Sequence, residues 1–369
     1  MFSLYTCRHE IYSANRRSCI GRSNIKGFQD NRRSEIRLKR FTGVTSSIDV
    51  KGQVNSLLDL GGNMNWINSF ELICYAIVFI LLLDILKNKN YRELGLLISG
   101  ALAGFVLELL AVRLTDIYHY SNDFFISIGV APYQFPFFGG LMWGGITVCA
   151  FRIVKKFSLS NILTALLCGW LIVSFDLLLD VVAIRLDGGF WVWDGRTINL
   201  DINHHMFMSV IWVNFLGYMF EVPSIIYMTL KSWEKDDRNE KVNIIRSIFI
   251  GLIGVVFVGV CSFISLYLDK ISDEWFSFIA FIAIWIFVLI KLLSVLIGQR
   301  KNIILSRQKD WPVLIFWFSI YTYCICALFK LKIIYSTPLY GFLALLLFIT
   351  TLALSIIDLN ERIFMQVPI

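Results

Sequence analysis

Charged side chains are scarce in this chain, at 17% of 369 residues, against 57% hydrophobic and 15% aromatic. That balance excludes a disordered segment, and it also excludes a water-soluble globule, whose core would not hide so much apolar surface. Proline is rare, at six residues, and histidine rarer, at four. His204 and His205 are adjacent and do not share a helix face, so the expectation is a solvated loop pair and no metal site. The eight cysteines form no C-x-x-C pair, and Cys74, Cys149, Cys168, Cys261, Cys324 and Cys326 lie in apolar runs, where a free thiol acts as a small hydrophobe. No disulfide framework, cofactor or nucleic-acid partner is expected. Alternating ten-residue strands are missing too, which excludes a membrane β-barrel.

What the chain does have, with a mean hydropathy of +0.68, is apolar runs long enough to cross about 30 Å of hydrocarbon. Spans are predicted near Trp66–Leu86, Leu94–Leu114, Phe135–Val154, Asn161–Ile184, Phe207–Leu230, Val242–Leu268, Trp275–Ile297, Val313–Lys332 and Leu339–Ile357. The expected fold is therefore an all-α, polytopic transmembrane bundle of about nine spans. Residues 64–240 would hold the site, and residues 241–369 would add four further helices.

Lys and Arg collect in every second connection: Lys87, Lys89 and Arg92; Arg152, Lys155 and Lys156; Lys231, Lys235, Arg238 and Lys241; Arg300, Lys301, Arg307 and Lys309. By the retention of basic loops on the cytoplasmic side, the first span starts outside and the C-terminus, with Arg362, is cytoplasmic. Residues 1–63 hold eleven Lys and Arg against five acids, and Arg-Arg-Ser occurs twice. Two readings fit: a targeting peptide, which would place the protein in an organelle membrane, or a start extended upstream of Met64, with a cell-membrane location. A basic arm resting on anionic lipid is a further possibility.

Acids inside apolar runs are costly and need a reason. Glu71 and Asp84 lie near the ends of the first span, where a carboxylate can reach the interface, and are expected to be structural. In the second span Gly100 and Gly104 have a close-packing spacing, followed by Glu108, Val112 and Asp116 on one helix face, with Arg113 near enough to neutralise an acid. The third span opens with Ala131-Pro-Tyr-Gln-Phe-Pro136, whose prolines preclude a regular helix start, so Tyr133 and Gln134 are expected on irregular backbone under protein cover. Gly140 and Gly144 make a second small-residue pair, around Trp143, for which packing is the simpler role.

Asp176 and Asp180 are stacked one turn apart in the fourth span, and Arg185 follows closely enough to pair with one of them. Alternatively, burial beside a like-charged neighbour keeps one acid neutral and able to donate a proton. Glu108, Asp116, Asp176 and Asp180 are predicted at one depth in the outer half of the membrane, with Tyr120, Trp191, Trp193, Trp212, Asn214 and Tyr218 around them. An interfacial aromatic belt accounts equally well for Trp191 and Trp193.

The order of features resembles the carotenoid biosynthesis membrane proteins that include carotenoid 1,2-hydratase and bisanhydrobacterioruberin hydratase. It is carried by ELLAVRLTDIYHYSNDF from Glu108, APYQFPFFGGLMW from Ala131, DLLLDVVAIRLDGGFWVW from Asp176 and VNFLGY ending at Tyr218. Asp176, Asp180, Ala183, Gly189, Trp191 and Trp193 match one family element, and Asn214, Phe215, Leu216 and Gly217 another. Val181 replaces the family's proline, Tyr218 replaces a tryptophan, and MFMSVIW stands in place of a Tyr-x-Gly-Val-Pro element. The resemblance covers about residues 108–218.

It implies a hydratase that protonates the terminal double bond of a linear isoprenoid entering from the bilayer and adds water to the cation. Asp176 or Asp180 would be the acid, and Glu108 or Asp116 would handle the water. Trp191, Trp193 and Trp212 would line the cation pocket, Asn214 would orient the water, and Tyr218, Trp143 and Tyr120 would contact substrate. Without water the same parts make a protonation-initiated cyclase. Two other readings stay open: a prenyltransferase holding magnesium diphosphate on Asp-x-x-x-Asp, for which Arg185 and Arg196 are thin provision, and a proton-coupled transporter or lipid-binding protein.

Overall fold

In the computed structural model, which describes residues 64–114, 118–193, 198–235 and 243–359, nine long helices carry the chain. They are α1 (Trp66–Lys87), α2 (Tyr91–Leu114), α3 (Phe137–Val154), α4 (Asn161–Ala183), α5 (Trp212–Lys235), α6 (Ile244–Ser272), α7 (Trp275–Gly298), α8 (Trp311–Lys330) and α9 (Pro338–Ile356). Side chains of Asn65, Ser160, Asn243 and Asp310 cap α1, α4, α6 and α8 by accepting a first-turn N–H. The basic tail, residues 1–63, lies outside the described residues.

Eight of these helices are long and apolar enough to cross a membrane. The exception is α5, which has the length but carries Asn214, Glu221, Lys231, Glu234 and Lys235. It also shows the largest shift from expectation, starting five residues after Phe207. The apolar residues assigned to its start instead form a hairpin, β5 (Met206–Phe207) against β6 (Val210–Ile211), turned by Met208 and Ser209 at φ 48° and 71°. The all-α membrane bundle holds, with eight helices rather than nine meeting the span criterion.

Successive long helices run in opposite directions, so the bundle has two ends. The end where α1 begins carries β1 (Tyr118–Tyr120) paired antiparallel with β4 (Trp191–Trp193), and β2 (Ser127–Ile128) paired with β3 (Phe135–Pro136). At the far end β7 (Ile303–Leu305) pairs with β8 (Ile357–Leu359). Helix α4 is the centre: it packs on α3, α5, α7, α8 and α9, and almost all of its residues are buried. The four helices after residue 241 wrap the first five, α6 against α2 and α5, α8 against α1 and α4, and α9 against α4.

Helices α2 and α3 approach closely because their small residues meet. A Cβ on Gly144 would lie 2.5 Å from the Leu97 carbonyl oxygen, and one on Gly104 would lie 2.4 Å from the Trp143 ring. Gly104 thus makes the slot that seats Trp143. Since a backbone oxygen cannot swing aside, Gly144→Ala is expected to lower stability by about 1–3 kcal/mol. Thermal unfolding in detergent measures this, and an unchanged melting temperature would contradict the packing.

The acids of α1 are structural, as expected; Asp84 is partly exposed near the helix end, whereas Glu71 does not reach the interface. Glu71 is fully buried and accepts the backbone N–H groups of Phe125 (2.6 Å) and Ile126 (3.0 Å) and the hydroxyl of Tyr75, so it ties down the loop after β1. Asp84 meets Arg152 at 2.7 Å at the far end, where Arg152 also bonds Glu93 and Asp310 and Lys155 bonds Glu93. These acids have found donors within the fold, which removes the need to reach water.

Candidate functional site

The helix that occupies the centre of the bundle is also the one that carries two acids one turn apart. Asp176 and Asp180 are 7% and 2% exposed, too dry for an unpartnered charge. Asn214, two residues into α5, donates from Nδ2 to Asp180 Oδ2 at 2.6 Å. The Asp176 and Asp180 carboxyls stand one turn apart on the same face of α4, and both form part of a cavity wall. The second oxygen of Asp176 is buried without a partner. Glu108, from α2, is buried and accepts the Tyr120 hydroxyl at 2.8 Å.

Between these groups is a partly open cavity, with about 750 Å³ of space free of protein atoms when the open solvent at its mouth is included. Glu108, Asp176, Asp180 and Asn214 supply its polar wall, and the rest is apolar and largely aromatic. The rings are held by one another: Trp143 against Tyr218 at 4.7 Å, Tyr120 against Trp191 at 5.8 Å and against Phe135 at 5.2 Å. The loops that deliver them are fixed locally. β1 pairs with β4 so that Tyr120 stands opposite Trp191, and Gln134, buried before α3, donates to the Tyr120 carbonyl and to Asn122 Oδ1. Of the irregular backbone before α3, Gln134 is thus covered by protein, whereas Tyr133 is half-buried and Ala131 and Pro132 are exposed.

Tyr120, Trp143, Trp191, Asn214 and Tyr218 all line this cavity together with Glu108, Asp176 and Asp180. Trp212 does not. Its indole N–H donates to the Asn203 carbonyl at 2.7 Å and its ring packs among Phe207, Phe278 and Phe281, so its role is to seat the hairpin on α7. Trp193 occupies the β4 position opposite Tyr118, and Asp116 lies outside the described residues.

Of the two readings of the aspartates, the ion pair with Arg185 is not formed. Helix α4 ends at Ala183, and the guanidinium donates instead to the carbonyls of Val181 (2.6 Å), Asn199 and Met208 (3.0 Å). A cation at a helix C-terminus satisfies carbonyls that have lost their helical partners. Here it also latches the segment before α5 over the end of α4. Among the described residues lining the cavity there is no Lys or Arg, so three carboxyls share it without a countercharge.

One group escaped the sequence reading. Glu221 is 1% exposed, has an oxygen with no partner, and follows Asn214 and Tyr218 on one face of α5. The signal was available, since an acid inside an apolar run is the criterion that singled out Glu108. No protein-family model matches this chain, and comparison with curated proteins and with solved structures returns no match.

Proposed function

We propose that this chain is an integral membrane enzyme that protonates a terminal double bond of a linear isoprenoid and adds water to the resulting cation. The observation that carries the reading is the cavity wall: three carboxyls and an amide against aromatic faces, with no basic residue among its lining. An apolar chain fits such a wall, whereas a diphosphate would meet only acids, which disfavours the prenyltransferase reading.

In the proposed reaction the alkene π pair takes a proton carried by Asp176 or Asp180 to form a C–H bond at the less substituted carbon, which leaves a carboxylate on the acid and a tertiary cation on the other carbon. Trp191, Trp143 and Tyr218 face that charge. A water held by Asn214 and Glu108 bonds to the cationic carbon, and its surplus proton returns to the carboxyl set. The proton balance therefore closes at each turnover. The distribution of basic loops supports a position for the site in the outer half of the membrane, with the four last helices completing the bundle around α4.

Coexpression with a pathway that accumulates linear carotenoids, followed by mass analysis, tests this reading. A product heavier by one water is expected; an isomer of unchanged mass would mean a cyclase; unaltered substrate would overturn both. Glu221, a further buried acid on the same helix face, favours proton-coupled transport as the second reading. That reading requires uptake into vesicles that collapses with the proton gradient.

A further inference from the structure

The adjacent histidines read from sequence as a solvated pair acquire partners that lie 68 residues and more downstream. His204 and His205, just before the β5–β6 hairpin, meet Asp273 at the α6–α7 turn, and one ligand atom from each of the three lies within 4.8 Å of the others. We propose that these residues bind a divalent transition-metal ion of the zinc class, with water completing the coordination on the solvent side.

Imidazole and carboxylate are a donor set suited to such an ion, and three features go beyond proximity. Glu274 Oε2 is 3.0 Å from His205 Nδ1. A carboxylate there accepts a hydrogen bond from Nδ1–H, which holds the proton on Nδ1 and leaves Nε2 with the lone pair, the usual support behind a metal-bound histidine. His204 stacks flat on Trp275, with ring centres 4.4 Å apart and planes 5° from parallel, so its direction is set before any ion arrives. Its Nε2 is screened from solvent yet has no hydrogen-bond partner. Asp273 and Glu274 both adopt left-handed backbone conformations, at φ 54° and 67°. That turn brings Asp273 to the histidine pair and Glu274 to the back of His205.

The ion clips two segments. One is the Asn203–Met208 stretch, already held by Arg185 and Trp212; the other is the α6–α7 turn. The site is separate from the acid cavity and does not depend on the function proposed above.

Protein purified through a tag without histidine, in detergent, should retain about one zinc per chain by elemental analysis after equilibration with zinc and desalting. Cobalt substitution should give visible d–d bands. Asp273→Asn keeps the turn geometry, because asparagine tolerates the left-handed region, and should abolish retention and the cobalt bands. Glu274→Gln should weaken binding about 10- to 100-fold. His204→Ala should remove retention as well, while Cys261→Ser should leave it unchanged. No retained zinc in the unaltered protein, or Asp273→Asn and Glu274→Gln variants that bind as the unaltered protein does, would overturn the site.

Discussion

Asp176→Asn and Asp180→Asn are each expected to lower product formation by about 10²- to 10⁴-fold, the range for removing a general acid, without reducing insertion or folding. Asparagine has the shape of aspartate but no acidic proton, and at either position it still offers a carbonyl oxygen and adds a donor. Asp180→Asn keeps an acceptor for the Asn214 amide, now 2.6 Å away, and Asp176→Asn places an amide where a buried oxygen has no partner. Neither variant adds buried charge, so the thermal unfolding temperature should stay level or rise. Turnover measured beside unfolding separates loss of chemistry from loss of structure. Full turnover in both variants would remove the acid pair from the mechanism. Asn214→Ala should have the smaller effect, because it leaves both carboxyls in place.

The largest stability effect is expected at the opposite end of the bundle. Arg152, on α3, is 5% exposed and holds Glu93 of α2 at 2.7 Å, Asp84 of α1 at 2.7 Å and Asp310, the cap of α8, at 3.2 Å. Three acids from three elements thus converge on one guanidinium. Arg152→Met fills similar volume but leaves buried Glu93, 2% exposed, with Lys155 as its one remaining cation, and should cost up to about 3–5 kcal/mol. Lys155 also bonds Glu93, at 2.7 Å, but its side chain is 44% exposed and does not reach all three acids. Adding Glu93→Gln to Arg152→Met should recover part of the loss, because the buried charge is then gone. Thermal unfolding of the single and double variants decides this: a single variant that melts with the unaltered protein would show that the cluster contributes nothing net.

Much of the site was legible because acids inside apolar runs stand out against their surroundings. Glu108, Asp176 and Asp180 were found by that contrast alone, and the same contrast, applied further along α5, would have found Glu221. Partnerships were not legible. Arg185 is one turn from Asp180 along the chain, yet the break in α4 after Ala183 turns it toward carbonyls of a segment some twenty residues on. Trp212 sits two residues before Asn214 in sequence, but on a helix that interval turns it toward α7 rather than into the cavity. Phe207–Ile211 read as the start of a span because apolarity does not distinguish a hairpin strand from a helix turn in a run so short.

By itself, then, the sequence determined the class, the helix boundaries to within about a turn and a half, and the acids, since these rest on composition and on local spacing along one chain. Only the tertiary structure decided which helix is central, that Gly144 lets α3 meet the backbone of α2, that Arg152 gathers acids from α1, α2 and α8, and that His204 and His205 face Asp273. Each of these joins residues tens to hundreds of positions apart. Helical periodicity tells which residues share a face of one helix; it carries no information on which other helix will cover that face.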